Sequence, residues 1–308
     1  MIEDKRYNSF VGYFKKKYGS RLQKVVIDAG FTCPNRDGKV GFGGCTYCDN
    51  ASFHPNYSTN DKDIIKQIDE GIEFHRRRYK HTTKYLAYFQ PYSNTYAPLD
   101  YLKKVYEEAL SHPQVVGIVV GTRPDCVDEQ KLDYLAELAK KYVVIVEYGI
   151  ESVYDKTLKR INRGHTFSEV KKAAKMTADR GLQQGAHIIF GLPGETKEDM
   201  MNYASFINDL PLSSLKIHQL QIIRGTKMER EFLMHREDFV EFGLDEYIDF
   251  IVDFLECLRP DLYIERIAGE VPPRFVNEMP WGKVRNLDLL HMLDKRLEER
   301  DTYQGAKL

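Results

Sequence analysis

Lys24-Val-Val-Ile-Asp28 runs straight into Ala-Gly-Phe31-Thr-Cys33-Pro-Asn-Arg-Asp-Gly38-Lys-Val-Gly41-Phe-Gly43-Gly44-Cys45-Thr-Tyr47-Cys48. A short β-branched run opens into a loop of glycines and cysteines. Apolar runs of the same kind recur over 84–89, 115–121, 142–149, 185–190 and 215–222. Between them the apolar spacing becomes helical. Over about 61–79, Ile64, Ile65, Ile68 and Ile72 share one face, and similar patterns cover 99–111, 128–140, 168–180 and 197–208. Strands alternating with amphipathic helices build a parallel sheet. The sequence therefore predicts an α/β protein, a partial (β/α)6 TIM-like barrel. Residues 1–226 form the barrel, with its special loop over 31–50. A C-terminal extension over 227–308 is expected to cover the open side, with a helix over 244–258, a short strand over 262–267 and a final helix over 287–300.

In such sheets the βα loops gather at the C-terminal ends of the strands, where ligands bind. The unusual loops all fall there. They are 33–48, 90–96 (Gln-Pro-Tyr-Ser-Asn-Thr-Tyr), 121–126 (Gly-Thr-Arg-Pro-Asp-Cys), 149–152 (Gly-Ile-Glu-Ser), 191–196 (Gly-Leu-Pro-Gly-Glu-Thr), and Gln221 with 224–226. A purely structural protein has no need to concentrate glycine, proline and polar residues on one rim.

Composition narrows the class. The 308 residues are ample for a sizeable core. No apolar run approaches the roughly 18 residues of a membrane span. Met1-Ile-Glu-Asp-Lys-Arg-Tyr7 lacks the apolar centre of a signal peptide. A cytoplasmic protein with no membrane partner is the expectation. The net charge of −1 excludes a polycation, and DNA is not an expected partner. Two local basic clusters stand out: Lys15, Lys16, Lys17 with Arg21 and Lys24, and His75, Arg76, Arg77, Arg78, Tyr79, Lys80, His81 with Lys84. Each reads either as a solvated helix end, its cations complementing the dipole, or as a phosphate-contacting surface with an interleaved aromatic.

Three of the five cysteines lie within sixteen residues, in the spacing C-x11-C-x2-C. An odd count so clustered argues against a disulfide framework and for metal or redox chemistry. Three thiolates leave one iron of a four-iron cluster open to a further ligand. The glycines of the loop allow backbone N–H groups to turn toward cluster sulfurs. The alternative is a structural zinc site with His54 as the fourth ligand, although no second C-x2-C pair accompanies it.

A three-cysteine loop after the first strand of a βα barrel, with Tyr47 before the last cysteine, resembles the radical S-adenosylmethionine (SAM) superfamily, whose usual spacing is C-x3-C-x2-C. The wider gap resembles the Elp3-like branch and the bacterial YtqA/YhcC-like family. Asp28-Ala-Gly-Phe-Thr-Cys33-Pro-Asn-Arg-Asp-Gly38, Phe89-Gln-Pro-Tyr-Ser-Asn-Thr-Tyr-Ala97, Gly121-Thr-Arg-Pro-Asp-Cys126 and Lys216-Ile-His218 carry the latter likeness. It implies a [4Fe–4S] cluster on Cys33, Cys45 and Cys48, with SAM on the open iron. Reductive cleavage of SAM would then give a radical that takes a hydrogen atom from the substrate.

The resemblance also implies roles for the rim. Gln90 stands where relatives hold the SAM amino group, although the usual Gly-Gly-Glu is missing. Arg123 would pair with the SAM carboxylate, and Glu151 would accept from the ribose hydroxyls. Ile189, Gly191 and Gly194 would lie against adenine, and Gln221 would face adenine or substrate. Cys126 is a candidate hydrogen-atom donor or a buried thiol, and Cys257 is expected in the core. His218 is a candidate substrate contact or a core histidine. The Elp3-like branch acts on the wobble uridine of tRNA, so the expected substrate is tRNA. The expected reaction takes a 5-carboxymethylaminomethyl group to 5-aminomethyl. Arg224 or Arg274 would hold the substrate carboxylate, Lys15–Lys17 and Arg76–Arg78 would hold phosphates, and flavodoxin or ferredoxin would donate electrons. A radical SAM enzyme acting on a small molecule such as a tetrapyrrole, and a non-enzymatic zinc-binding RNA module, are the rival expectations.

Overall fold

The computed structural model describes residues 5–52, 55–282 and 284–308. Seven strands form one parallel sheet in sequence order: β1 (Leu22–Ile27), β2 (Lys84–Phe89), β3 (Val115–Thr122), β4 (Val143–Glu151), β5 (Gln183–Phe190), β6 (Ser214–Gln219) and β7 (Tyr263–Arg266). All six expected strands form. The seventh comes from the segment expected as a separate cover and pairs with β6, Ser214 opposite Tyr263. β6 stops three residues earlier than its apolar pattern suggests, because the Gln219 side chain turns to the backbone of Gly269.

Alternate residues point to opposite faces of each strand. Val25 and Ile27, Ala87 and Phe89, Ile118 and Val120, Val144 and Val146, and Ile188 and Phe190 face outward into one large core. The helices α2 (Ile64–Arg76), α3 (Leu99–Leu110), α4 (Glu129–Ala139), α6 (Phe167–Ala178), α7 (Lys197–Asn208) and α9 (Leu244–Glu256) cover that face. A final helix, α10 (Asn286–Glu299), packs on α9.

The sheet curls. β1 and β7 are not neighbours in it, yet Lys24 of β1 reaches Glu265 of β7 at 2.6 Å and Glu147 of β4. The concave face is therefore an enclosed interior. Its lower layer is apolar: Leu22, Leu86, Val119 and Ile145 pack against Phe10 and Phe14. These two phenylalanines come from an N-terminal helix, α1 (Phe10–Tyr18), that plugs the end where the strands begin. The chain before α1 runs beside β7, with Ile264 N–H donating to Asn8 O at 2.8 Å, so the last strand does not present a bare edge. Two more helices lie on the opposite rim, α5 (Asp155–Arg160) and α8 (Lys227–Met234).

Candidate active site

The cysteine loop sits at the C-terminal ends of the strands. Thr46 N–H donates to Ile161 O at 2.9 Å, and Thr46 O accepts from Met228 N–H at 2.9 Å. The loop is thus fixed between the α5–α6 connection and α8. Cys33 and Cys45 are buried and Cys48 is half-buried. Donors surround the sulfurs. Asn35 Nδ2 lies 3.7 Å and an Arg163 guanidinium nitrogen 3.6 Å from Cys45 Sγ, and Arg36 lies 3.5 Å from Cys48 Sγ. Burial and the neighbouring Cys45 sulfur push the Cys48 thiol up, while Arg36 and Arg163 pull it back. A neutral thiol needs no such ring of N–H donors. Thiolates bound to iron do, because these contacts disperse their charge. The donor set therefore fits an iron–sulfur cluster. Among the described residues, no three His, Cys, Asp or Glu side chains are placed to hold a single metal ion. His54, the candidate fourth zinc ligand, lies outside the described residues.

Arg163 escaped the sequence reading. It is buried, donates to Gly149 O at 2.7 Å, and pairs with Glu151 at 3.3 Å. Gly149 makes room for the pair: a Cβ there would sit 2.4 Å from the guanidinium and 2.6 Å from the Glu151 carboxylate. Glu151 itself has φ +69° at the irregularity between β4 and β5. That backbone is costly for a residue with a Cβ, and it turns the carboxylate toward the cluster loop. The sequence marks the position only as part of the turn Asn162-Arg-Gly-His165 between two helices, which does not reveal what Arg163 faces.

Arg123 needs correction. Its guanidinium is 1% exposed and forks onto Asp125 at 2.8 and 2.7 Å, with its remaining nitrogen on Arg163 O at 2.5 Å. A fork already spent on one carboxylate is not open to another. Arg123 instead braces the backbone that carries Arg163. Cys126 is buried in the next turn, 3.9 Å from Asp125, and burial together with that carboxylate pushes its thiol up to about 11. It is a neutral thiol, not a thiolate. Gln90 is half-buried at the end of β2. The residues after it are committed locally: Asn94 donates to Phe89 O and Gly121 O, and Ser93 and Thr95 bond to Thr122. Cys257 is half-buried and packs against the core at the end of α9.

The interior above the apolar plug is charged. Glu147, 2% exposed, receives Lys216 and His187 at 2.9 Å as well as Lys24, and Glu265 bridges both lysines. His218 follows one step further up β6. Its Nε2 is buried without a partner, and its ring lies 5.4 Å from that of His187. Burial, His187 and Arg266 hold His218 well below its ordinary value, so it is neutral. An orphaned buried nitrogen costs about 1–3 kcal/mol, and here it faces the enclosed space.

A cavity of about 580 Å³ opens between the ends of β5 and β6, α8 and the C-terminal segment. Phe232, Phe239, Phe242 and Trp281 line it, with Gly191 and Gln221 at the strand ends. Ile189 belongs to the apolar wall behind it, where Phe232 and Phe239 pack with Ile161, Leu192 and Met228, and Tyr47 of the cysteine loop packs against the same cluster. Gly194, φ +82°, donates to Asp238 O at 2.8 Å. Arg224 and Arg274 are both exposed and lie outside the residues that line the cavity, whereas Arg285 lines it. The basic residues Lys15, Lys16, Lys17, Arg76, Arg77 and Arg78 stand apart from this rim. α1 leads into the start of β1 and α2 toward the start of β2, so both clusters lie at the end opposite the cysteine loop. They meet there, with Arg21 stacked 4.1 Å over Tyr79.

Residues 33–207 match the radical SAM superfamily and residues 212–299 the radical SAM C-terminal domain. The protein YtqA of Bacillus subtilis is 35% identical over 302 residues, covering 98% of this chain and 92% of its own. YhcC of Escherichia coli is 33% identical over 305 residues, covering 99% and 96%. Among solved structures, an N-terminally truncated Elp3 of the archaeon Methanocaldococcus infernus superposes with a TM-score of 0.68 at 18% identity, over 92% of this chain and 64% of that one, a likeness of fold alone.

Proposed function

Since the chain belongs to the radical SAM superfamily, we propose that it is a cytoplasmic enzyme that modifies the wobble uridine of tRNA, converting a 5-carboxymethylaminomethyl group to 5-aminomethyl. Its cofactors are a [4Fe–4S] cluster and SAM. When bound, they supply a 5′-deoxyadenosyl radical that removes a hydrogen atom from the substrate.

The chain's own residues do the holding and orienting. Cys33, Cys45 and Cys48 ligate three irons. Asn35, Arg36 and Arg163 donate to the sulfurs. Glu151, fixed by Arg163, offers a carboxylate to ribose hydroxyls, and Gly191, which lines the cavity, allows the backbone to approach a flat ring closely. The observation that carries the reading is the single apolar wall shared by Tyr47 of the cluster loop and by Phe232 and Phe239 of the aromatic cavity. A planar base in that cavity lies against the same apolar cluster on which Tyr47 packs. The CH2 between amine and carboxylate of the substituent suits hydrogen abstraction, since nitrogen and carboxylate both stabilise the radical. Loss of one further electron to a one-electron acceptor such as the oxidised cluster, together with the amine proton, would give an imine, which water would hydrolyse to the aminomethyl base and glyoxylate.

The test is an anaerobic reaction with SAM, a reductant and bulk tRNA from cells lacking the enzyme. The expected result is tRNA-stimulated 5′-deoxyadenosine and a shift from carboxymethylaminomethyl- to aminomethyluridine, both lost in Cys45→Ala. An unchanged nucleoside profile, or stimulation by a tetrapyrrole in place of tRNA, overturns the proposal. A small acidic flavodoxin or ferredoxin is the electron donor that this reading requires.

A further inference from the structure

The cluster loop is longer than its metal chemistry requires. Eleven residues separate Cys33 from Cys45, and the excess folds into a small finger. Asp37 and Phe42 pair as an antiparallel bridge, Gly38 N–H donates to Gly41 O at 3.1 Å, and Asp37 Oδ1 accepts from Lys39 N–H at 3.1 Å. Its base is pinned: Val40 N–H donates to Pro34 O at 2.8 Å, and Asn162 holds Gly44 O at 2.8 Å. The finger is therefore a built element, not a loose excursion.

What it presents is unusual for a surface. Phe42 is 76% exposed and Val40 47% exposed. The Phe42 ring lies over Gly38, where a Cβ would come within 2.6 Å of it, and this backs one side of the ring while the rest faces solvent. Cations and further rings surround it. Lys39 lies 5.2 Å from the Tyr96 ring, Arg36 lies 5.5 Å from the exposed Tyr92 ring, and the Lys227 ammonium borders Gly43. Arg224, Arg230 and Arg274 are exposed on the adjoining segments, which are tied together by Arg224 N–H on Phe275 O at 2.8 Å. Lys39, Arg224, Lys227, Arg230 and Arg274 form no ion pair with a described residue. Most other arginines of the molecule are paired, as Arg160, Arg236, Arg296 and Arg300 are.

Flat rings interleaved with unpaired cations are what a single strand of nucleic acid binds: each base stacks on a ring and each phosphate meets a cation. An acidic protein partner would use the cations and the apolar area but has no need of flat rings. We propose that this finger is a stacking platform for an unpaired nucleobase beside the reacting nucleotide, with Phe42 as the ring and Lys39 and Lys227 as phosphate contacts. The inference rests on the RNA reading above and moves the RNA surface from the basic clusters at the far end to the mouth of the site.

The test uses the cluster-loaded protein and end-labelled bulk tRNA, with affinity read by fluorescence anisotropy at several salt concentrations. Phe42→Ala is expected to weaken binding about 5- to 100-fold, Phe42→Leu about as much, and Phe42→Trp little, with its indole emission quenched by tRNA. Lys39→Ala and Lys227→Ala should each lower the salt slope by about one. Iron content and circular dichroism check that each variant is folded. Leu serving as well as Phe would overturn the inference in favour of apolar docking. So would an unchanged tRNA affinity accompanied by slower reduction of the cluster by flavodoxin. Absence of tRNA binding by the unaltered protein overturns the RNA reading itself, whereas intact binding by all the variants overturns the finger alone.

Discussion

Arg163 joins the two halves of the site, since one guanidinium touches Cys45 and neutralises Glu151. Arg163→Ala would leave the half-buried Glu151 carboxylate without its cation, which costs up to about 3 kcal/mol. The variant should melt well below the unaltered protein and lose iron faster on anaerobic gel filtration; Arg163→Lys should be intermediate, keeping charge without the fork. A melt within a degree of the unaltered protein would remove Arg163 from this role. The cysteines were readable because their pattern is local, three ligands within sixteen residues. Arg163 was not, because only the packing of the α5–α6 turn against the loop brings it there. Arg123 misled for the converse reason. It stands at the expected strand end, but Asp125, two residues on, takes its fork.

The barrel interior belongs to the strands collectively: β1, β4, β5, β6 and β7 each give one charged or imidazole side chain to the group around Glu147. Burial alone would raise the Glu147 carboxyl, but Lys216, Lys24 and His187 outweigh it and hold it well below 4.5. A carboxylate lowered on folding stabilises the fold above its unfolded value, and the contribution fades as pH falls through that value toward the folded one. Thermal stability should therefore drop on acidification below about pH 4.5. Glu147→Gln should flatten that limb and cost about 3–5 kcal/mol at pH 7, because it leaves Lys24 and Lys216 with Glu265 alone; an acid limb as steep in the variant would refute the assignment. Below this layer, Phe14→Ala in α1 should cost about 3–5 kcal/mol in a denaturant melt, since Phe14 is 1% exposed in the plug. The sequence pattern located β2 to the residue and the outward core closely. It read the lysines of α1 as a helix end but not the buried face of Phe10 and Phe14 beside them, and it placed β7 outside the sheet, because four residues do not reveal which neighbour they pair with.

At the scale of the whole molecule, function and stability occupy different ends. The cluster loop leans on the α5–α6 turn and α8, while the seven strands are held by the outward core and the plug, neither of which includes a cysteine ligand. Small metal domains fold only with their metal; this chain should not. Removing the cluster by oxidation and chelation should leave the far-ultraviolet dichroism unchanged and lower the melting temperature only by the linkage of cluster binding to the native state. Hydrogen exchange should quicken over 33–48, over 161–164 and at the start of α8, and nowhere in β2–β5. The basic clusters at the opposite end make the complementary control. Replacing Arg76, Arg77 and Arg78 together by Ala should change neither iron content nor exchange at the cysteine loop, since α2 ends where the strands begin. Global loosening on cluster loss, with faster exchange in β3 and β4, would show that the iron site holds the barrel together rather than resting on it.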